Sequence, residues 1–187
     1  LKKNFIESSS LDSVTKVYNR NYLIDNLTKH LTLSNHQNKE IYFLMIGVDH
    51  FKAVVDEFNY DVSDKVLIEL AKVIHTNINE FDMVARLNAD EFLVTILSNK
   101  MKYQVEDLAK QIIEDFAKVA IVVDETTKQK LMKTICIGLE TFNTEDSDSI
   151  NDAIKNADIA LYEAKNKGRS QFFDYADLTP EDTIDLF

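Results

Sequence analysis

Apolar residues recur along this chain with two different spacings. A repeat of three to four residues, typical of amphipathic helices, predicts helices at residues 19–33, 61–78, 105–116 and 149–168. Short runs rich in β-branched and aromatic residues, typical of strands, lie at residues 41–48, 81–87, 92–97, 119–123 and 131–141. Helices and strands therefore follow one another along the chain, as expected for a sheet covered by helices.

The run at residues 41–48 is almost continuously apolar. A strand of this kind is covered on both faces, so we expect it in the middle of the sheet. The last helix ends at Gly168, the residue best able to adopt a left-handed cap. Asp61 and Asp64 lie at the start of the second predicted helix, where acidic side chains complement the helix dipole.

A predicted hairpin links the strands at residues 81–87 and 92–97, and its turn carries the adjacent carboxylates Asp90 and Glu91. Asn88 tolerates the left-handed backbone of a tight turn. Two interpretations are open from the residues alone. The tip is either a solvated acidic turn or a place where the two carboxylates hold a cation.

Composition and charge narrow the function classes. The chain has 187 residues, enough for one domain with a substantial core. Its net charge of -11 argues against binding of nucleic acid. Cys136 is the single cysteine, which is compatible with a reducing cytoplasm. No apolar run is long enough to span a membrane, so we expect no membrane contact by this fragment. We expect a fragment of a longer protein, with a domain at residues 12–174 between linkers at 1–11 and 175–187.

Short motifs appear in a fixed order, at residues 12–20, 47–52, 88–92, 136–138 and 160–169. Their sequences are DSVTKVYNR, GVDHFK, NADEF, CIG and ALYEAKNKGR. Together they resemble the GGDEF domain of diguanylate cyclases, which join two GTP molecules into cyclic di-GMP. Lys16 stands where that family usually has glycine. The resemblance implies an α+β fold with a central, mostly antiparallel five-stranded sheet surrounded by helices, similar to the palm fold of nucleotidyl cyclases.

The resemblance implies a catalytic role for Asp90 and Glu91 at the signature turn, and a metal-binding role for Asp90 and Asp49. In the family, Mg²⁺ held by such carboxylates neutralises the charge that develops during phosphoryl transfer. Gly47 stands where the family has its first metal-binding aspartate, and glycine supplies no ligand. We therefore expect Mg²⁺ to bind weakly at best.

The resemblance also implies a GTP site. Lys52, Lys165 and Arg169 match family positions that contact the triphosphate, and Asp64 matches the acidic partner of guanine. Val55 stands in place of the family's guanine-binding asparagine, so selectivity for guanine should decrease. A second interpretation stays open, because basic residues near the end of a helix and an acid in its first turn are favourable without any ligand.

Two further departures concern the glycines and the product site. Asn88 and Ala89 replace the two signature glycines, and Ala89 would add strain of about 1 kcal/mol if a left-handed conformation were required. The stretch that matches the family's product-inhibition motif runs from Asn79 to Asp82 and lacks its arginine. Feedback binding of cyclic di-GMP is therefore not expected there.

Two functions follow from these substitutions. The favoured one is a degenerate GGDEF domain without cyclase activity, which serves as a regulatory or dimerising module in cyclic di-GMP signalling. The alternative is a slow diguanylate cyclase that uses Asp90, Glu91 and Asp49 with the basic residues. The expected partners are GTP, a second copy of the domain, and flanking sensor or output domains.

Overall fold

The computed structural model describes residues 10–33, 40–143 and 149–181. The helices are α1 (Arg20–Leu33), α2 (Phe51–Glu57), α3 (Tyr60–Asn77), α4 (Lys102–Ala117) and α5 (Ile150–Lys167). The strands are β1 (Tyr18–Asn19), β2 (Glu40–Val48), β3 (Met83–Asn88), β4 (Glu91–Ile96), β5 (Ile121–Val122), β6 (Lys130–Leu131), β7 (Ile135–Asn143) and β8 (Phe172–Asp174). The four helices predicted from periodicity are thus present, and α2 is an additional one.

The main sheet has six strands in the order β1-β3-β4-β2-β7-β8. Its central pairs are antiparallel, and the two edge pairs, β1 with β3 and β8 with β7, are parallel. The α+β class and the central position of β2 are confirmed. The sheet has six strands rather than the expected five. The predicted strand at residues 119–123 lies outside it, as β5, and the two edge strands of two and three residues are too short to show a periodic pattern.

Helices cover both faces of this sheet, and each face has its own apolar core. On one face, α3 and α4 pack with residues such as Leu70 and Phe116, which are fully buried. On the other face, α1 and α5 pack with residues such as Leu27 and Leu161. The turn between β3 and β4 and the end of α5 lie at the borders of the second core.

The predicted strand at residues 131–141 is wrong as a single element. Its first residue belongs to β6, which pairs with β5 in a separate two-stranded sheet, and β7 begins only at Ile135. The chain is interrupted between them because Thr134 bonds to Asp49 through both its carbonyl oxygen and its hydroxyl. Gly168 ends α5 as expected, but with φ 145 and ψ -160 rather than the left-handed helical conformation.

The predicted linkers lie partly outside the described residues. Within the C-terminal linker, Tyr175–Asp177 form a turn of 3₁₀ helix. It follows Asp174, whose carboxylate forms an ion pair of 2.6 Å with the Lys102 ammonium. The boundaries of the linkers stay a prediction. None of the described helices is long and apolar enough to cross a membrane.

Candidate functional site

The turn between β3 and β4 presents the two carboxylates at one end of the sheet, where these inner strands meet. Asn88 pairs with Glu91, and a bulge lies between Arg86 and Asn88, so Ala89 and Asp90 form the turn. The positive φ angles found at non-glycine residues of the described chain lie elsewhere. Asn88 therefore does not adopt the expected left-handed conformation, and Ala89 carries none of the strain that such a conformation would bring.

Arg86 of β3 binds this turn to the loop that precedes α1. Its guanidinium donates to the Ala89 carbonyl oxygen at 2.7 and 3.1 Å and pairs with the Asp12 carboxylate at 3.2 Å. Thr15 also donates to Asp12, from its amide at 2.9 Å and its hydroxyl at 2.7 Å. Burial opposes ionisation of Asp12, but these hydrogen bonds and the charge of Arg86 outweigh it and lower the pKa of Asp12. Lys16 completes the loop with φ 63, the left-handed conformation that glycine adopts readily.

Glu91 points toward α5 and is half-buried. Asn88 donates to one of its carboxylate oxygens at 3.0 Å. Burial raises the pKa of Glu91, and the nearby carboxylates of Asp158 and Asp90 raise it further, against the hydrogen bond from Asn88. A cavity of about 230 Å³ opens beside it, whose walls include Arg20, Met45, Asn88, Glu91, Lys155 and Asp158.

Gly47 of β2 lies opposite Glu91 in the sheet, and α5 covers it. A Cβ atom added at Gly47 would lie 3.0 Å from Nζ of Lys165 and 3.1 Å from a methyl group of Leu161. The position where the family resemblance places a metal-binding carboxylate therefore faces an ammonium group. Lys165 and Glu91 are thus brought to the same end of β2 by the pairing of β2 with β4 and by the packing of α5.

Asp49 follows β2 and is 4% exposed. Its Oδ2 atom accepts hydrogen bonds from the Thr134 hydroxyl at 2.6 Å and from the Ser170 amide at 3.0 Å. Ser170 presents this amide with φ 59. The carboxylate thus connects β2, the start of β7 and the segment after α5. A metal-binding role of Asp49 stays a prediction beside this structural role.

Cys136 lies beside this network. Its thiol donates to the Gly168 carbonyl oxygen at 3.6 Å, and burial, together with the Asp49 carboxylate, raises the pKa of Cys136 to about 11, against hydrogen bonds from nearby backbone amides. Such a thiol stays protonated and acts as a buried apolar side chain, as its sequence setting predicted.

Mg²⁺ requires a near-octahedral shell of oxygen atoms. Among the described residues, no three histidine, cysteine, aspartate or glutamate side chains come together in a way that could hold a metal. At the position that would complete such a shell, Gly47 supplies no side-chain oxygen, and the Lys165 ammonium repels a cation. The residues present therefore do not fit a preformed Mg²⁺ site, and weak binding through Asp90 stays a prediction.

The predicted nucleotide-binding residues occupy three different elements. Lys52 is exposed in the first turn of α2, Asp64 is half-buried on α3, and Arg169 is exposed just after α5. Val55 is half-buried and packs against the core under α3. Within the described residues, Asp64 has no hydrogen bond or ion pair to the cationic side chains, so its role toward guanine stays a prediction.

The stretch that aligns with the family's product-inhibition motif has a structural function that the sequence did not reveal. Asp82 is buried, and its carboxylate accepts from the amides of Asn79, Leu97 and Ser98 at 2.9 to 3.0 Å. These hydrogen bonds close the open end of the β3–β4 hairpin. The Asp82 carboxylate is therefore bound by backbone amides of the protein itself.

Two charged residues near the site were missed. Asp158 lies on the exposed side of α5, next to the buried stripe formed by residues such as Ile154 and Leu161. An acidic residue is ordinary at such a position, so no signal in the sequence marks it. Lys133 lies in the connection between β6 and β7. No local pattern distinguishes it, because its importance comes from distant parts of the chain.

The fold and the motif order agree with the comparisons with known proteins. The family described as "Diguanylate cyclase, GGDEF domain" matches residues 9–171. The chain belongs to this family of GGDEF domains.

Among curated relatives, the chain is 30% identical over 169 residues to "Diguanylate cyclase A" of Treponema denticola, covering 89% of this chain and 44% of that protein. It is 29% identical over 178 residues to "Signaling protein YkoW" of Bacillus subtilis, covering 94% of this chain and 21% of that protein. The chain thus spans less than half the length of these two relatives.

Solved structures agree on the fold. The GGDEF domain of TpbB (also called YfiN) from Pseudomonas aeruginosa has a TM-score of 0.82 at 26% identity, over 94% of this chain and 98% of that one. The active GGEEF domain of a diguanylate cyclase from Vibrio cholerae has a TM-score of 0.72 at 28% identity, over 84% of this chain and 96% of that one.

Proposed function

We propose that this GGDEF domain is a regulatory module of cyclic di-GMP signalling that does not synthesise cyclic di-GMP. One observation carries the proposal. A catalytic domain of this family needs a carboxylate for Mg²⁺ at the position of Gly47, but this residue has no side chain, and the space beside it holds the Lys165 ammonium. Without a carboxylate at this position, Asp90 and Glu91 cannot assemble the charge-neutralising centre that phosphoryl transfer between two GTP molecules requires.

The module acts within a longer protein. The chain matches only part of each relative, and one of these is named "Bifunctional diguanylate cyclase/cyclic di-GMP phosphodiesterase MucR" of Pseudomonas aeruginosa, 27% identical over 173 residues and 24% of that protein's length. By analogy, we place a sensor or an output domain next to this one. Pairing of two copies would transmit the signal between such domains.

Binding of GTP is the input that the basic residues support. Lys52, Lys165 and Arg169 carry positive charge in a chain whose net charge is -11, so an approaching triphosphate would be attracted only where such residues gather. Cations that contact phosphate oxygens form charge-assisted hydrogen bonds. In this proposal GTP stabilises one conformation of the domain without being consumed.

A turnover assay tests the proposal. The purified dimeric chain is incubated with GTP and Mg²⁺ or Mn²⁺, and cyclic di-GMP is measured by chromatography, with the active Vibrio cholerae domain as a positive control. We expect no product. The alternative of a slow cyclase rests on the retained carboxylates of the turn, and product that disappears in both Asp90→Ala and Glu91→Ala would establish it and overturn the proposal.

Restoring the family residues tests the reason for inactivity. The combined variant Gly47→Asp, Val55→Asn, Asn88→Gly and Ala89→Gly should partly recover GTP binding if the scaffold is otherwise competent. Gly47→Asp alone should form an ion pair with Lys165, because the new carboxylate would lie next to its ammonium. Recovery of turnover by that single change would show that Lys165 does not block the metal position.

A further inference from the structure

The carboxylate of Asp49 brings together two basic residues that lie far apart in the sequence. It accepts from the Thr134 hydroxyl at 2.6 Å and the Ser170 amide at 3.0 Å, and the Asp49 amide donates to the Thr134 carbonyl oxygen at 2.9 Å. Lys133 directly precedes Thr134, and Arg169 directly precedes Ser170. The same hydrogen bonds therefore bring the backbone at Lys133 and the backbone at Arg169 close together, just beyond the end of α5.

The two cations are placed so that they repel each other. Burial lowers the pKa of Lys133, and the Arg169 guanidinium lowers it further, whereas Asp49 and Glu57 act in the opposite direction. Within the described chain, neither Lys133 nor Arg169 forms a direct ion pair. Like charges held together at the border of a core are unfavourable, and an anion bound between them would relieve this repulsion.

We infer that Lys133 and Arg169 form an anion-binding pair that contacts the terminal phosphates of a nucleoside triphosphate. This inference rests on the proposed binding of GTP and adds Lys133, which no motif of the chain assigns. Lys165 lies in the last turn of α5, four residues before Arg169, and extends the positive surface toward Gly47. A triphosphate lying along these three side chains would be neutralised by protein cations instead of Mg²⁺.

Two features favour phosphate over other anions. The pair combines a guanidinium, which recognises two oxygen atoms at once, with a lysine ammonium, which acts as a point charge. Asp49 cannot compete fully for these cations, because its Oδ2 atom is already bound by Thr134 and Ser170. The local cations also attract a triphosphate more strongly than a monophosphate, because the triphosphate carries more negative charge.

Calorimetric titration of the whole chain tests this inference. GTP, GMP and inorganic tripolyphosphate are titrated with EDTA present, into wild type, Lys133→Gln and Lys133→Arg. The matched control is Lys130→Gln, an exposed lysine three residues earlier on β6. Thermal unfolding of each variant shows that the fold is kept.

We expect GTP and tripolyphosphate to bind without metal, and Lys133→Gln to weaken both by about tenfold or more, since a charge-assisted hydrogen bond is lost. Lys133→Arg should keep most of the affinity, and Lys130→Gln all of it. The ratio of GTP to GMP affinity should fall in Lys133→Gln, which a merely structural role would not change.

Equal affinity of wild type and Lys133→Gln for GTP and tripolyphosphate would overturn the inference while leaving GTP sensing intact. Binding of tripolyphosphate that depends on Lys133 and is as tight as the binding of GTP would support the anion pair and reject guanine sensing. Absence of any binding to wild type would overturn the anion pair and leave only an interaction module.

Discussion

The guanidinium of Arg86 and the carboxylate of Asp12, 3.2 Å apart, join the signature turn to the loop that precedes α1. Both side chains are mostly buried, with 17% and 19% of their surface exposed. Because Arg86 also donates to the Ala89 carbonyl oxygen, one side chain fixes both the turn and the loop. The position of Asp90 and Glu91 therefore depends on a residue outside the turn.

Replacement of Arg86 by alanine should destabilise the domain by about 2 kcal/mol, because charge-assisted hydrogen bonds are lost and Asp12 remains partly buried. Urea denaturation measures this change. Lys128→Ala is a matched control, since its ion pair with Glu125 is exposed and should contribute less than about 0.5 kcal/mol. Equal effects of the two variants would show that Arg86 does not support the turn.

The ion pair between Arg86 and Asp12 should also make the stability of the domain depend on pH. The pKa of Asp12 is lowered on folding from its ordinary value of 3.8, so its contribution is fully present above that value and is lost as the pH falls through the folded pKa. The difference in free energy of unfolding between wild type and Asp12→Asn should thus be constant near pH 6 and shrink below pH 3.8. A difference that grows toward acid would contradict this sign.

Glu91 should have the opposite effect. Burial and the Asp158 carboxylate raise its pKa, so the charged form is unfavourable in the folded state, and stability increases as the pH falls through the raised pKa. Glu91→Gln should therefore be more stable than wild type at pH 7, and the gain should disappear in acid. Thermal unfolding across pH checks this, with the exposed Glu80→Gln as a control that should show no such gain.

Two glycines should differ sharply in their tolerance of a methyl group. A Cβ atom at Gly138 would collide with the Ala157 carbonyl oxygen and the Leu161 amide, which are rigid backbone atoms of α5. Gly138→Ala should cost about 3 kcal/mol or prevent folding. Gly47→Ala meets the flexible ends of Lys165 and Leu161 and should change stability by less than about 1 kcal/mol. Yields of folded protein and melting temperatures distinguish the two.

Periodicity along the chain was sufficient to predict the long elements. The apolar stripes of α1, α3, α4 and α5 and the apolar run of β2 appear at the expected residues, because burial of one face requires a regular spacing. The motif order was also sufficient to predict the family. Local patterns carry this information wherever an element is long enough to repeat.

Other features depended on contacts between distant residues, and only the tertiary structure decided them. Thr134 interrupts a predicted strand because it binds Asp49, and the edge strands exist because β3 and β7 offer pairing partners. Likewise, the Lys165 ammonium beside Gly47 and the approach of Lys133 to Arg169 result from the packing of α5 and from the hydrogen bonds of one buried carboxylate. No spacing in the sequence predicts these contacts, because each one joins segments that are far apart in the chain and come together only when it folds.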